Sequence, residues 1–250
     1  MAEVSKTVGD RLVFSDAVVQ AIEVQGEHVT SSVTRSVGGS LPAGLLLDVF
    51  ARWLAQTLRA SSTKLREADL AHALELADDP AARRARDDAN TALRGVMIRT
   101  SSLVRGAYDV PFSESVGLEA ALESRPDMLL TQSTNAARLL ARATAPTTGT
   151  VGATVDLTQL ARELDARVAA LRAGLEGVKR EEREAQQTLS QRDAALAEWS
   201  RVYGGVGEIF AGLATLAGLD DLASKLRPTT RRQAGIPDVP STPTEPGTPA

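Results

Sequence analysis

Apolar residues recur along the chain at helical spacing, and the longest such run lies between Pro146 and Pro228. Alternating steps of four and three from Leu164 reach Val168, Leu171, Leu175, Val178, Glu182, Ala185, Leu189, Arg192, Leu196, Trp199, Tyr203, Val206, Phe210, Leu213 and Ala217. All but Glu182 and Arg192 are apolar, and this alternation puts the whole set on one face of a helix. Asp156 with Gln159 three residues on has the spacing of a capping box. The pattern predicts one coiled-coil-like helix over 156–227, stopped by Pro228. Its length would be roughly 100 Å at about 1.5 Å per residue. No other predicted helix is two-thirds as long, so part of its stripe is expected to need cover from another copy or another helical protein.

The rest of the chain also reads as helix. In 1–39, Phe14, Val18, Ile22, Val29, Val33 and Val37 fall four or seven apart, with Ser15 a candidate cap and Gly38-Gly39 a candidate stop. Dense Val and Thr, interrupted by Gly26, keep a β-hairpin turning near Gly26 as the competitor. A second helix is predicted from Pro42, with the stripe Leu47, Phe50, Leu54, Leu58, Leu65, His72 and Leu76. Proline clashes with the preceding helical turn, so the chain is expected to kink or reverse at Asp78-Asp79-Pro80. A third helix, Pro80 to about Ala107, shows Ala82, Ala85, Ala89, Leu93, Val96, Thr100, Leu103 and Ala107 on one face. A fourth helical region, Ser113 to Ala145, breaks or bends at Pro126. Residues 40–145 are thus predicted to form a helical bundle, and 146–155 a loop. The predicted class is all-α: long, mostly antiparallel helices ending in a disordered Pro/Thr-rich tail over 228–250.

Composition sharpens this picture. Hydrophobic residues make up 43% of 250 and aromatics only 3%, so a sizeable core must be built from Leu, Val and Ala. Five of eleven prolines (Pro237, Pro240, Pro243, Pro246, Pro249) lie in the last fourteen residues, leaving the body almost free of helix breakers. The absence of cysteine excludes disulfides, thiolate metal sites and cysteine nucleophiles. Arginine outnumbers lysine 24 to 4, which suggests a GC-rich bacterial genome. Neither a signal peptide nor a stretch of about twenty apolar residues is visible. A cytoplasmic protein is the expectation, and export by a signal-less route would leave the same trace.

Candidate chemistry is sparse. Asp69 and His72 form Asp-x-x-His, but bundle metal sites use paired Glu-x-x-His elements with further glutamates, and the only other histidine is His28. His72 is therefore read as a boundary histidine on an apolar stripe, and no metal or cofactor is expected. Arg83, Arg84 and Arg86 resemble a phosphate-binding patch, yet Asp79, Asp87 and Asp88 stand at ion-pairing spacing and no aromatic interleaves them. The net charge is −4. Nucleic acid is not the expected partner. Serines and threonines lack a positioned base, so an enzyme is not expected.

Two seam positions carry a sharper reading. In an antiparallel pair of long helices centred at Gln187, Glu182 of one copy would face Arg192 of the other and fix the register. Tyr203 to Leu219 holds a single charge, Glu208, and a small-residue stripe of Gly207, Ala211, Ala214 and Gly218. Either a neighbour uses that close approach or the helix kinks at Gly204-Gly205. The expected function is a non-enzymatic structural or assembly subunit that self-associates or binds a helical partner. The competing reading is a membrane-acting protein that exposes this glycine-rich segment.

Overall fold

The computed structural model describes residues 3–39, 41–42, 44–118, 121–146 and 155–236. The described residues are all-α: α1 (Lys6–Ser36), α2 (Leu47–Ala107), α3 (Val110–Ser115), α4 (Pro126–Leu140), α5 (Leu157–Leu216), α6 (Asp220–Leu226) and α7 (Thr230–Gln233). They form two compact units. One comprises Met1–Leu74 with Gln186–Ala250, the other Glu75–Ala185.

In the first unit, α1 settles the helix-or-hairpin question in favour of helix. Val8, Leu12, Val18, Val19, Ile22, Val29 and Val33 form its buried stripe, so packing overrides the weak helix propensity of Val and Thr. Gly38 ends α1 with φ +91°. Gly38 N–H donates to Arg35 O and Gly39 N–H to Thr34 O, the paired bonds of a Schellman stop. Ser15 is not a cap; it lies fully buried in mid-helix. The stripe of α1 joins Leu54, Leu58 and Leu65 of α2 and Trp199, Tyr203, Val206 and Phe210 of α5 in one core.

The chain does not turn back at Pro80. α2 begins at Leu47 rather than near Pro42 and continues through Pro80 to Ala107. Proline removes one backbone donor, whose partner would have been the carbonyl of Leu76. Leu76 lies on an exposed face, 50% accessible, so the missing bond falls outside the cores. At 61 residues α2 equals α5 in length (60 residues), and the premise that one helix outreaches all others fails. α5 also runs unbroken through Gly204-Gly205. A neighbour uses the close approach instead: a Cβ at Gly207 would lie 3.0 Å from Pro228 Cδ and 3.1 Å from Leu226 O.

α5 stops eleven residues short of Arg227. Gly218, φ +74°, lets Leu219 N–H reach Ala214 O and Gly218 N–H reach Thr215 O, and the chain turns away. α6 then adds Ala223 and Leu226 to the core. Residues 228–236, placed by the sequence in a disordered tail, are ordered: Thr229 caps α7 and Arg11 Nε donates to Gln233 O at 3.0 Å. The rest of the predicted tail, 237–250, lies outside the described residues, as does 147–154 of the predicted loop.

In the second unit, residues 75–107 of α2 pack with α3, α4 and the first half of α5 around Leu93, Met97, Val104, Leu118, Leu129, Leu140, Leu164 and Leu171. The expected fourth helix is two pieces. Asp109 caps α3, accepting from Phe112 N–H at 2.7 Å, and Pro126 opens α4, where its missing N–H costs nothing. Asp156 opens α5, accepting from Gln159 N–H at 2.9 Å, as the capping-box spacing predicts.

Candidate functional site

The seam residues are where the chain's own packing can be judged. In the second unit Leu164, Val168 and Leu171 are buried, with Leu175 partly so, in the core shared with α2 and α4, and Val178 is buried as well. In the first unit Trp199, Tyr203, Val206 and Phe210 are buried, with Leu196 and Leu213 packed beside them and Leu189 half-buried. The stripe that was expected to need a partner is thus largely covered within each unit. Its polar exceptions lie apart from these cores. Glu182 is exposed, and Arg192 pairs with Asp193 of the same chain at 3.0 Å.

The Asp-x-x-His pair serves packing. Asp69, 3% exposed, accepts from the backbone N–H of Ser5 at 2.6 Å and from its hydroxyl at 3.0 Å. This ties the start of α1 to α2. His72 Nδ1 lies 3.0 Å from Thr188 Oγ1, joining α2 to α5. The arginine run is partly neutralised, with only Arg83 paired at the predicted spacing, and Arg84 Nε donates to Pro80 O at 3.2 Å where the spacing suggested Asp88. Arg83 pairs with Asp79 at 2.9 Å, and Arg86 with its neighbour Asp87 at 2.6 Å.

An acidic cluster escaped the sequence reading. Glu75 of α2 and Glu181 and Glu184 of α5 offer carboxylate oxygens all within 4.8 Å of one another. Glu75 Oε1 is buried with no hydrogen-bond partner. Burial, then the charges of Glu184, Glu181, Asp78 and Asp79, push the Glu75 carboxyl above the ordinary glutamate range. Glu75 therefore holds its proton more firmly than an isolated glutamate does. The three oxygens are fewer than calcium takes, about six to eight. Residues more than a hundred positions apart carry no sequence signal for this meeting; only the pairing of α2 with α5 creates it.

An open concavity lies in the first unit, between α1 and α2, with a volume of about 760 Å³. Ile22 and Gly26 of α1 and Ala51 and Ala55 of α2, each set four residues apart, form its floor. Glu23 and Glu27 stand on the α1 side, Arg52 and Arg59 on the α2 side. Arg59 bonds Glu23 at 2.8 Å, and Arg52 bonds Asp48 at 2.6 Å. Leu45 (45% exposed) and Leu46 (61%) stand at one end. Nearby on α2, Trp53 is 54% exposed and stacks on Phe50 at 5.7 Å. The signal for the groove was present as the spacing Ile22, Gly26, Thr30, Thr34, but only the α1–α2 hairpin shows which side of it stays open.

Among the described residues, no helix is long and apolar enough to cross a membrane. Comparison with protein-family models, with curated proteins and with solved structures finds no match.

Proposed function

We propose that this chain is a non-enzymatic assembly subunit that works by helix packing, with itself or with a helical partner. The observation that carries this reading is the open groove between α1 and α2, with the exposed leucines Leu45 and Leu46 at its end. Exposed apolar groups clustered on a rigid helical hairpin are a common basis for association. The coiled-coil-like seam builds the subunit, and the exposed faces of its helices do the binding.

The competing reading, a membrane-acting protein, would have to withdraw Tyr203, Val206, Phe210, Ala211 and Ala214 from the core around Trp199. That loss would cost on the order of 1.5–3 kcal/mol for each large side chain. Sedimentation across micromolar concentrations tests the assembly reading. The expected outcome is a mass that rises above the monomer with concentration. Flotation with phosphatidylcholine–phosphatidylglycerol vesicles should leave the protein unbound and the vesicle contents retained. Co-flotation with leakage would replace the assembly reading with the membrane one.

A further inference from the structure

We propose that the α1–α2 groove is the site at which a second copy of this chain docks, related by a two-fold axis that runs along the two helices. The inference rests on the assembly reading and assigns it a surface and a partner. Its first support is shape. Ile22–Gly26 and Ala51–Ala55 are i, i+4 rows on neighbouring helices, and rows of this kind form the ridges and grooves into which another helix packs. Gly26 packs on Ala51 across the hairpin, a Cβ there lying 3.9 Å from the Ala51 Cβ, so the two helices are close together at the floor of the groove. Leu45 and Leu46 are exposed at one end of the groove, and a two-fold axis along the helices, which preserves level, brings the leucines of the two copies to the same end of the interface.

The second support is charge, and it selects the partner. The α1 side of the groove is acidic, through Glu23 and Glu27, and the α2 side carries a net positive charge, Arg52 and Arg59 outweighing Asp48. α1 and α2 are consecutive helices whose Glu23 and Arg59 lie at the same level, 2.8 Å apart. A two-fold axis along the helices sets α1 of one copy over α2 of the other, antiparallel, with these levels matched. The acidic rim then meets a basic rim twice, as a self-complementary interface requires. A two-fold axis across the helices would set α1 on α1 and bring like charges together. A strongly acidic or basic partner would repel one of the two rims.

The existing pairs do not oppose this arrangement. Arg52–Asp48 and Arg59–Glu23 are exposed, and such pairs stabilise a fold little, so they can exchange between copies. Among the described residues Glu27 has no ion-pair partner within its own chain.

Charge exchange in the full chain tests the proposal. One variant carries Glu23→Arg and Glu27→Arg, making both rims basic; the other carries Arg52→Glu and Arg59→Glu, making both acidic. Each alone should dissociate at least about tenfold more readily than the wild type. An equimolar mixture should recover a dimer that contains one of each. Leu46→Asp, at an exposed position remote from the core, should weaken pairing without lowering the thermal midpoint. Far-ultraviolet circular dichroism confirms that each variant is folded. A wild type that associates while all three variants associate equally well overturns the groove assignment and leaves the assembly reading standing. A mixture that stays monomeric beside a dimeric wild type also overturns it. A wild type that is monomeric throughout overturns both this proposal and self-assembly.

Discussion

The indole N–H of Trp199 donates to the hydroxyl of Ser15 at 2.7 Å, joining two fully buried residues 184 positions apart. Trp199 also stacks on Tyr203, one helical turn on, with ring centroids 5.1 Å apart and planes 10° from parallel. A large aromatic in an aromatic-poor core must satisfy its single donor, and a serine in mid-helix of α1 supplies the acceptor.

Removing either partner has a distinct expected cost. Trp199→Ala should lower unfolding free energy by about 3–5 kcal/mol, through lost contacts and a cavity. Ser15→Ala should cost roughly 1–3 kcal/mol, because the indole N–H is then buried without an acceptor. Urea denaturation of the double-mutant cycle provides the check. In a Trp199→Phe background, most of the Ser15→Ala cost should vanish. An unchanged cost in that background would show that the bond contributes nothing.

Two glycines three residues apart on α5 should respond to alanine with opposite signs. A Cβ at Gly174 would lie 2.9 Å from the backbone Cα of Arg86, while one at Gly177 meets nothing within 4 Å. Gly177→Ala should stabilise by about 0.5–1 kcal/mol from helix propensity alone. Gly174→Ala gains the same propensity but forces α2 and α5 apart, an overpacking cost of roughly 1–3 kcal/mol. Thermal denaturation of the two single variants decides the matter. A Gly174→Ala protein as stable as Gly177→Ala would mean the helices are not in that contact.

The acidic cluster predicts a pH dependence with a definite sign. Burial and four neighbouring carboxylates raise the folded-state affinity of Glu75 for its proton above that of the unfolded chain. The folded form therefore holds more protons over that interval, and stability falls as pH rises through the raised value. The contribution is fully present in acid, below the ordinary glutamate range, and is lost once pH has passed the raised folded-state value. Glu75→Gln keeps the shape and removes the titration. Its thermal midpoint should exceed that of the wild type near neutral pH, with the gap closing toward pH 4. Midpoint curves that run parallel from pH 4 to 8 would contradict the assignment.

Class and helix composition were legible along the chain because they depend on local order. The 4-3 spacing from Leu164 to Ala217 marks a helix face wherever that face packs, and Asp156 and Gly38-Gly39 mark helix ends through backbone bonds within a few residues. Pro80 and Gly218 show where local reading gives out. Proline is a strong breaker in isolation, yet α2 continues through it on an exposed stretch; an unremarkable glycine in an apolar run ends α5 because adopting positive φ lets α6 return to the core. The destination of each face was not local at all. Whether the seam met another copy or its own chain, whether Glu75 met Glu181, and which side of α1 stayed open were decided by the pairing of helices far apart in sequence. Periodicity identifies an apolar face, but only tertiary packing decides what covers it.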